Sequence, residues 1–365
     1  MKTLSAIWLS MLLVVVTITA AMAGQKMIAI GGHSLSAPAS WLLQPLIPLL
    51  TIVLTLFFGG RYAIKVISIN ALCYVLAVLA IRLAIVVPSD ISWTQQAGYA
   101  QILSISWRDV GFTLCWLLPA QLIISLFFNK LLYFYLSEKS TNFGLFPLIA
   151  MIFVMSLLIS NLTTQKVAHL VGITVDVGTL FFPITYIFNN IFTEIYGYKR
   201  SRIVIWGGLV GNLLMVLILQ GVVWWPASVH WQQQSIYDAI IGNVPRIVLA
   251  STLAFFFGEF VNSYALAKLK ILTLGKYLWM RTIGSTLVGV AVDSLVFSFV
   301  AFYGTLPLSV VLAIAGWEYV LKVGYEILAT PITVRVIRWI KQREHTDRYD
   351  YDTRFNPFLI ADVKY

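Results

Sequence analysis

The sequence predicts an all-α protein, a polytopic bundle of about ten transmembrane helices built as a parallel tandem repeat of four spans followed by six. Three observations predict this fold. Hydrophobic residues make up 59% of the 365 residues and charged residues only 11%, whereas about a quarter of the residues in soluble domains are charged. Apolar windows of membrane-spanning length recur along the chain, and one polar pattern occurs twice in the same register.

Ten apolar windows are candidate spans, each about 20 residues long. They lie near 3–24, 40–58, 63–87, 109–136, 145–166, 178–196, 203–225, 247–268, 282–303 and 308–334. The first window also resembles a secretory signal peptide, because Lys2 precedes an apolar run that ends in Ala21-Met22-Ala23. Removing it would leave the first repeat without its opening helix, so we predict that it is retained.

Lysine and arginine residues collect in alternate loops, which predicts the orientation of the chain. One side carries the cationic groups Arg61 with Lys65, Lys199 to Arg202, Lys268 to Arg281, and the tail from Arg335 onward. The positive-inside rule places this side, with both termini, in the cytoplasm. The net charge of +10 is therefore a signal of topology, and we do not expect nucleic-acid binding.

A duplication explains the repeated pattern. Residues 88–99 match residues 226–237 in proline, tryptophan, two glutamines and tyrosine at an offset of 138, and the same offset pairs Arg108 with Arg246. We predict a four-span repeat over 1–140, a six-span unit over 141–340 and a cytoplasmic tail over 341–365. The tail is polar and mixed in charge, a composition that favours disorder.

The second copy carries carboxylates that the first copy lacks at the matching positions. The first copy has Ala21, Leu56, Ala100 and Gln121 where the second has Asn161, Glu194, Asp238 and Glu259. We interpret the first copy as a scaffold and the second as the carrier of the functional site. Whether the protein forms a homodimer or a pseudo-dimer within one chain is left open.

Polar side chains inside predicted spans are costly to desolvate and typically mark a substrate path. Glu259 and Asn262 are three residues apart and share a helix face, and Glu318, Lys322 and Glu326 recur every four residues. The other members of the predicted site are Asn161, Asn190, Glu194 and Asp293. Two readings stay open for some of them. Lys322 with its neighbouring glutamates would also lock the last helix in place, and Glu194 would also pair with Lys199 or Arg202 at a helix end.

No catalytic or cofactor-binding motif is present in the sequence. We find no metalloprotease helix motif, no nucleophile elbow, no phosphate-binding loop and no dinucleotide fingerprint. The two cysteines and four histidines are not spaced as metal ligands. We therefore predict a protein that is not an enzyme, that needs no cofactor or metal, and that does not itself hydrolyse ATP through a phosphate-binding loop.

Residues 145–340 resemble the queuosine precursor transporter family, also described as vitamin-uptake-like transporters. The matching residues are Ser160-Asn161, Lys166, Phe182-Pro183, Thr193-Glu194-x-Tyr196-Gly197-Tyr198-Lys199, Trp206, Pro245-Arg246, Ala254-Phe255-x-x-Gly258, Asn262, Arg281, Ser285-Thr286, Asp293, Phe297, Lys322 and Thr330-Pro331. The chain departs from the family at Asn189-Asn190, where an acidic residue is usual, and at Glu259, where glutamine is usual. Family members are typically single six-span units.

The resemblance implies import of a 7-deazaguanine-type base, a precursor of the tRNA nucleoside queuosine, across the inner membrane. Carboxylates suit such a ligand because they accept paired N–H donors. We expect Glu259 and Asp293 to bind the base, Asn262 to bind its remaining polar edge, and Phe255 or Trp317 to cover the ring. Glu194 is expected at a cytoplasmic gate.

Three alternatives to this reading remain. In the first, the chain is a substrate-capture subunit that needs a separate ATPase module. In the second, it takes up another vitamin-like heterocycle. In the third, it is an intramembrane enzyme or a structural scaffold. The missing catalytic motifs and the loss of acidic residues from only one copy count against the last of these.

Overall fold

The computed structural model describes residues 2–30, 35–89, 95–135, 144–164, 166–170, 173–242, 245–304, 308–351 and 353–359. Helices dominate these ranges, and the predicted all-α class is confirmed. The α-helices are α1 Lys2–Ala23, α2 Leu46–Phe58, α3 Gly60–Val86, α4 Gln96–Leu103, α5 Trp107–Phe112, α6 Leu118–Tyr135, α7 Phe146–Thr163, α8 Pro183–Tyr196, α9 Tyr198–Trp224, α10 Gln234–Tyr237, α11 Pro245–Leu272, α12 Leu278–Phe302 and α13 Leu308–Glu344.

Two short antiparallel hairpins interrupt the helices, and the sequence analysis did not predict them. Strand β1 (Met27–Ile30) pairs with β2 (Leu35–Pro38), and β3 (Val167–Leu170) pairs with β4 (Ile173–Asp176). Each hairpin follows a long apolar helix, α1 or α7, and each is followed by a single 3₁₀ turn, at Ala39–Leu42 or Val177–Leu180. Each of these two helices is therefore followed by a pair of antiparallel strands.

Seven helical segments in the described ranges are long and apolar enough to cross a membrane. They lie at Leu4–Ala23, Ala39–Phe58, Gly60–Val86, Gln96–Phe128, Phe146–Thr163, Tyr198–Trp224 and Leu278–Ala301. The other three predicted spans correspond to α8, which has 14 residues, and to α11 and α13, which carry several charged side chains. The protein is thus a multi-pass membrane protein, and the count of ten spans stays a prediction.

The chain divides into two compact units. The first comprises Met1–Val177 and Gly211–Asn243, and the second Gly178–Val210 and Val244–Tyr365. In the first unit α1 packs against α2, α3 and α7. In the second, α11 packs against α12, α12 against α13, and α8 against both α11 and α13. The boundaries of the predicted sequence repeat, at residues 140 and 340, do not coincide with the boundaries of these two units. The repeat boundaries remain a prediction.

Several elements occur twice at the predicted offset of 138 residues. The two ends of α3, Gly60 and Val86, correspond to the two ends of α9, Tyr198 and Trp224. The turns before these helices correspond as well, because Gly59 has φ 88° and Gly197 has φ 81°, a conformation that favours glycine.

The residues described after α13 pack against α8, α9 and α11, so the expectation of a disordered tail is wrong for them. Arg348 donates its backbone N–H to the carbonyl of Ile195 at 3.1 Å, and Trp206 Nε1 donates to the carbonyl of Pro357 at 2.8 Å. Phe355 packs against the rings of Tyr198 and Tyr264, both with centroids 5.1 Å away. We call residues 345–351 and 353–359 the C-terminal strap.

Candidate functional site

Helix α8 carries two amide side chains and one carboxylate inside the second compact unit. Asn189, Asn190 and Glu194 are all buried, with at most 1% of each residue exposed. The spacing of 189, 190 and 194 places them on neighbouring turns. Buried amides and carboxylates need partners on the facing helices, and α8 packs on α11 and α13.

Asn189 joins α8 to α11. Its amide nitrogen donates to Glu259 Oε2 at 2.5 Å and to the Glu259 carbonyl at 3.1 Å. Its oxygen accepts hydrogen bonds from Ser201 at 2.5 Å and from Ser263 at 2.8 Å. The amide therefore holds the Glu259 carboxylate in a fixed orientation.

Asn190 is the hub of a second set of contacts. Its nitrogen donates to Glu326 Oε1 at 2.9 Å and to Thr286 Oγ1 at 3.1 Å. Its oxygen accepts from Asn262 at 3.1 Å and from Ser285 at 3.4 Å. Four helices, α8, α11, α12 and α13, thus meet at one amide. Glu326 was absent from the predicted site, although the four-residue stripe on the last helix pointed to it.

Asp293 has a cationic partner that the sequence analysis did not anticipate. Lys322 Nζ lies 2.8 Å from Asp293 Oδ2 and 3.1 Å from Glu318 Oε2, and all three residues are buried. The ammonium also lies 5.0 Å from the centroid of the Phe182 ring, a cation–π distance. The predicted Glu–Lys–Glu ladder is therefore correct for Glu318, and Lys322 also pairs with Asp293 on α12. Glu326 accepts its hydrogen bond from Asn190.

Two glycines allow α11 and α12 to approach closely beside these groups. A Cβ at Gly258 would lie 2.6 Å from the Tyr186 hydroxyl and 2.7 Å from Asp293 Cβ. A Cβ at Gly289 would lie 2.6 Å from Asn262 Cβ. Small residues at helix contacts in membranes permit such packing. They bring Asn262 and Asp293 onto adjoining surfaces.

Three buried oxygen atoms in this cluster have no hydrogen-bond partner among the residues that the structure describes. They are Glu259 Oε1, Asn262 Oδ1 and Glu326 Oε2. The Thr185 hydroxyl, which lies near Glu259, already donates to the carbonyl of Phe182 at 2.7 Å. All three atoms are acceptors, so the cluster is built to receive hydrogen-bond donors. We call Asn189, Asn190, Glu259, Asn262 and Glu326 the acceptor cluster.

Glu194 lies in a separate group of charges at the end of α8. Arg281 Nη2 lies 2.7 Å from Glu194 Oε1, Lys341 Nζ lies 2.6 Å away, and Lys270 Nζ lies 3.7 Å away. The open alternative that Glu194 pairs with Lys199 or Arg202 is therefore wrong. All three cations are distant in sequence, which is why local spacing did not reveal them.

The C-terminal strap adds an acid to this group. Asp347 Oδ1 lies 2.5 Å from Lys270 Nζ and 2.9 Å from Lys341 Nζ. Burial raises the pKa of the Asp347 carboxyl, but the hydrogen bonds from Lys270 and Lys341 outweigh that effect and leave the pKa below its ordinary value. Asp350 accepts a hydrogen bond from the backbone N–H of Tyr198 at 2.9 Å, at the N-terminus of α9, where a negative charge is favoured.

Asn161 and Trp317, both named in the sequence prediction, lie neither in the acceptor cluster nor in the two charged groups. Asn161 is buried on α7 in the first compact unit, where its amide donates to the carbonyl of Leu157 at 3.0 Å. Trp317 is 52% exposed, so the expectation that it covers a ligand ring is not supported, whereas Phe255 is buried and its ring centroid lies 6.5 Å from that of Phe182. Among the described residues, histidine, cysteine and acidic side chains form no group that could hold a metal ion.

A multi-pass helical bundle with buried, partly unsatisfied polar groups between its helices is typical of a membrane transporter. Comparisons with known proteins agree. Residues 176–336 match the family described as putative vitamin uptake transporter. This region, which holds the acceptor cluster, is therefore similar to that family.

Two curated proteins are similar to the chain. It is 28% identical over 188 residues to a probable queuosine precursor transporter of Bacillus subtilis, a match that covers 51% of this chain and 82% of that protein. It is 24% identical over 144 residues to the queuosine precursor transporter of Escherichia coli, covering 40% of this chain and 62% of that protein. No solved structure matches it significantly.

Proposed function

We propose that this protein imports a queuosine precursor, a base of the 7-deazaguanine type, across the inner membrane for salvage into tRNA. The observation that supports the proposal most directly is the trio of buried acceptors, Glu259 Oε1, Asn262 Oδ1 and Glu326 Oε2, which lack hydrogen-bond partners in the described part of the chain. The two similar proteins named as queuosine precursor transporters support the choice of ligand.

The chemistry of the base fits these acceptors. The amino-pyrimidinone edge of a 7-deazaguanine presents adjacent N–H donors, and a carboxylate accepts such donors strongly. A buried acceptor without a partner costs about 1–3 kcal/mol, so a ligand that supplies the donors recovers that free energy. A base lacking the exocyclic amino group leaves acceptors unsatisfied and is rejected.

The site residues divide into two roles under this proposal. Glu259, Glu326 and Asn262 bind the donor edge of the base, with Asn189 and Asn190 holding the carboxylates in place. Asp293, Glu318 and Lys322 form the adjoining charged group, in which the lysine balances one of the two acids. Asp293 already pairs with Lys322, so Glu326 takes the place expected for Asp293 as the second carboxylate.

The orientation follows from the charge distribution. With both termini in the cytoplasm, the group formed by Glu194, Lys270, Arg281, Lys341 and Asp347 lies at the cytoplasmic end of the second unit. We propose that this group is the cytoplasmic gate, because its ion pairs tie α8, α11, α12 and α13 together at that end and must rearrange before a ligand passes.

Uptake of another vitamin-like heterocycle is the second candidate, and the description of the matched family favours it. Dependence on a separate ATPase module is a variant of either candidate. Transport by the purified chain in liposomes, with no ATPase present, separates a self-sufficient transporter from a capture subunit.

The decisive experiment is complementation. A host that can neither synthesise nor import queuosine precursors is given this protein and each candidate base in turn, and queuosine in tRNA is measured. We expect modified tRNA with the wild-type protein and one of the 7-deazaguanine bases. Absence of modification with every base, while the protein is present in the membrane, overturns the proposal.

A further inference from the structure

Two buried lysines occupy matching places in the first compact unit. Lys26 follows α1 and precedes β1, and Lys166 follows α7 and precedes β3. Both have no exposed surface. An ammonium has three N–H donors, and burying its charge is costly unless strong acceptors surround it.

Each lysine donates to three backbone carbonyls at the end of a helix. Lys26 Nζ lies 2.8 Å from the carbonyl oxygen of Val222, 3.0 Å from that of Val223 and 2.7 Å from that of Trp225. These carbonyls lie at the C-terminal end of α9. The last carbonyls of a helix lack partners within it and carry partial negative charge, so the ammonium satisfies them.

Lys166 makes the corresponding contacts at the end of α3. Its Nζ donates to the carbonyl of Ala84 at 2.9 Å, to that of Ile85 at 3.0 Å, and to that of Val87. Positions 84, 85 and 87 differ from 222, 223 and 225 by the same 138 residues that relate the two copies of the sequence. The lysine of each copy therefore caps a helix of the other copy.

Backbone pairing follows the same reciprocal pattern. Ile28 of β1 forms an antiparallel bridge with Ala227, and Ala168 of β3 forms one with Ser89. The aromatic surroundings also correspond, since Lys26 Nζ lies 5.7 Å from the ring centroid of Tyr237 and Lys166 Nζ lies 5.8 Å from that of Tyr99. Tyr99 and Tyr237 are again 138 residues apart.

A contact in which segment A of one copy meets segment B of the other, and the reverse, is isologous, the arrangement found in twofold-symmetric dimers. We infer that residues 1–140 are the built-in dimerisation partner of the following repeat, and that the surface formed by Lys26, Lys166, both hairpins and both helix ends joins the copies. The protein is thus a pseudo-dimer within one polypeptide. This inference does not depend on the identity of the transported base.

The division of labour between the copies agrees with this role. The first copy keeps a polar pair of the scaffold, with Thr55 Oγ1 and Ser125 Oγ 2.9 Å apart, where the second has Thr193 and Ser263 at 3.2 Å. It lacks the acids, with Leu56 in place of Glu194 and Gln121 in place of Glu259. A copy that supplies only packing needs the threonine–serine pair and does not need the acids.

Cysteine cross-linking of the full-length chain tests the inference. In a background with Cys73→Ala and Cys115→Ser, two pairs are introduced, Ile28→Cys with Ala227→Cys and Ser89→Cys with Ala168→Cys. Bridged residues of antiparallel strands lie within disulfide range. Membranes are oxidised and the protein is run on non-reducing gels, with Ile28→Cys and Ala37→Cys across one hairpin as the positive control.

We expect both pairs to form disulfides within one chain, seen as a shifted monomer band. Cross-linked dimers, or formation of only one of the two disulfides while the hairpin control forms, would overturn the inference. A second measurement uses Lys26→Met and Lys166→Met, which should each lower the thermal midpoint by a similar amount, while the exposed Lys65→Met leaves it unchanged. A midpoint unchanged by one of the two buried substitutions also overturns it.

Discussion

Asn190 on α8 donates a hydrogen bond to Glu326 on α13 at 2.9 Å, although 136 residues separate the two in the chain. The second oxygen of Glu326 is left without a partner in the described structure. Asn189 holds Glu259 in the same manner, at 2.5 Å. Adjacent amides on one helix thus fix two carboxylates on two other helices, and each carboxylate keeps one oxygen without a partner in the described structure.

Neutralising either carboxylate should weaken ligand binding. In Glu326→Gln or Glu259→Gln, a donor or neutral acceptor replaces the unpaired oxygen, and a charge-assisted hydrogen bond worth about 1.5–3 kcal/mol is lost. That loss corresponds to a fall in affinity of roughly 10- to 100-fold. The measurement is the concentration dependence of base uptake. Asp109→Asn, an exposed neutralisation on α5, is the control, and unchanged uptake in both site variants would remove these residues from the site.

The buried charged group of Asp293, Glu318 and Lys322 should respond differently to loss of the lysine and to loss of one acid. Lys322→Met leaves Asp293 and Glu318 buried together without their lysine, which costs about 3–5 kcal/mol. Asp293→Asn leaves Lys322 paired with Glu318 and should cost less. Thermal unfolding in detergent measures both, with Lys65→Met as the control. An equal effect of the two substitutions would contradict the pairing of Lys322 with both acids.

Close packing of α11 on α12 should make Gly258 intolerant of a side chain. Gly258→Ala places a methyl group 2.6 Å from the Tyr186 hydroxyl. Overpacking of this kind lowers the free energy of unfolding by about 1–3 kcal/mol. Gly316→Ala on α13 is the matched control, because no atom lies within 4 Å of the added carbon. A lower thermal midpoint is expected only for Gly258→Ala, and equal midpoints would contradict the packing described.

The C-terminal strap should stabilise the start of α9. Asp350→Ala removes the acceptor for the Tyr198 N–H, and loss of a side-chain cap costs about 0.5–2 kcal/mol. The thermal midpoint should fall, and the strap should become more susceptible to limited proteolysis. Gln342→Ala, exposed on α13, is expected to change neither. Equal proteolysis of the two variants would show that the strap is not held by this contact.

Acid should weaken the strap only well below neutral pH. The folded pKa of Asp347 lies below its ordinary value, so the stabilisation is complete above the ordinary value of about 3.9 and is lost as the pH falls through the lower, folded value. The difference in thermal midpoint between the wild-type protein and Asp347→Asn should therefore be constant between about pH 5 and 8. It should shrink below about pH 4. A difference that already changes near pH 6 would identify another titrating group.

Much of the candidate site was accessible from the sequence because the bilayer makes buried polar groups conspicuous. Glu259, Asn262, Asp293, Glu318 and Lys322 stand out in apolar helices, and the structure buries all of them. Helix spacing also predicted the pair Glu318–Lys322, which is local. Partners on other helices were not predictable, since the cations of Glu194 lie 76 to 147 residues away.

The sequence by itself determined the helical membrane class, the duplication register and the segregation of acids into the second copy, because hydropathy and repeat spacing are properties of the linear chain. Only the tertiary structure decided which acids are neutralised and which keep an unpaired oxygen. Asp293 receives Lys322, whereas Glu259 and Glu326 receive amides that carry no charge. That difference depends on which helix faces pack together, and no local pattern in the chain encodes it.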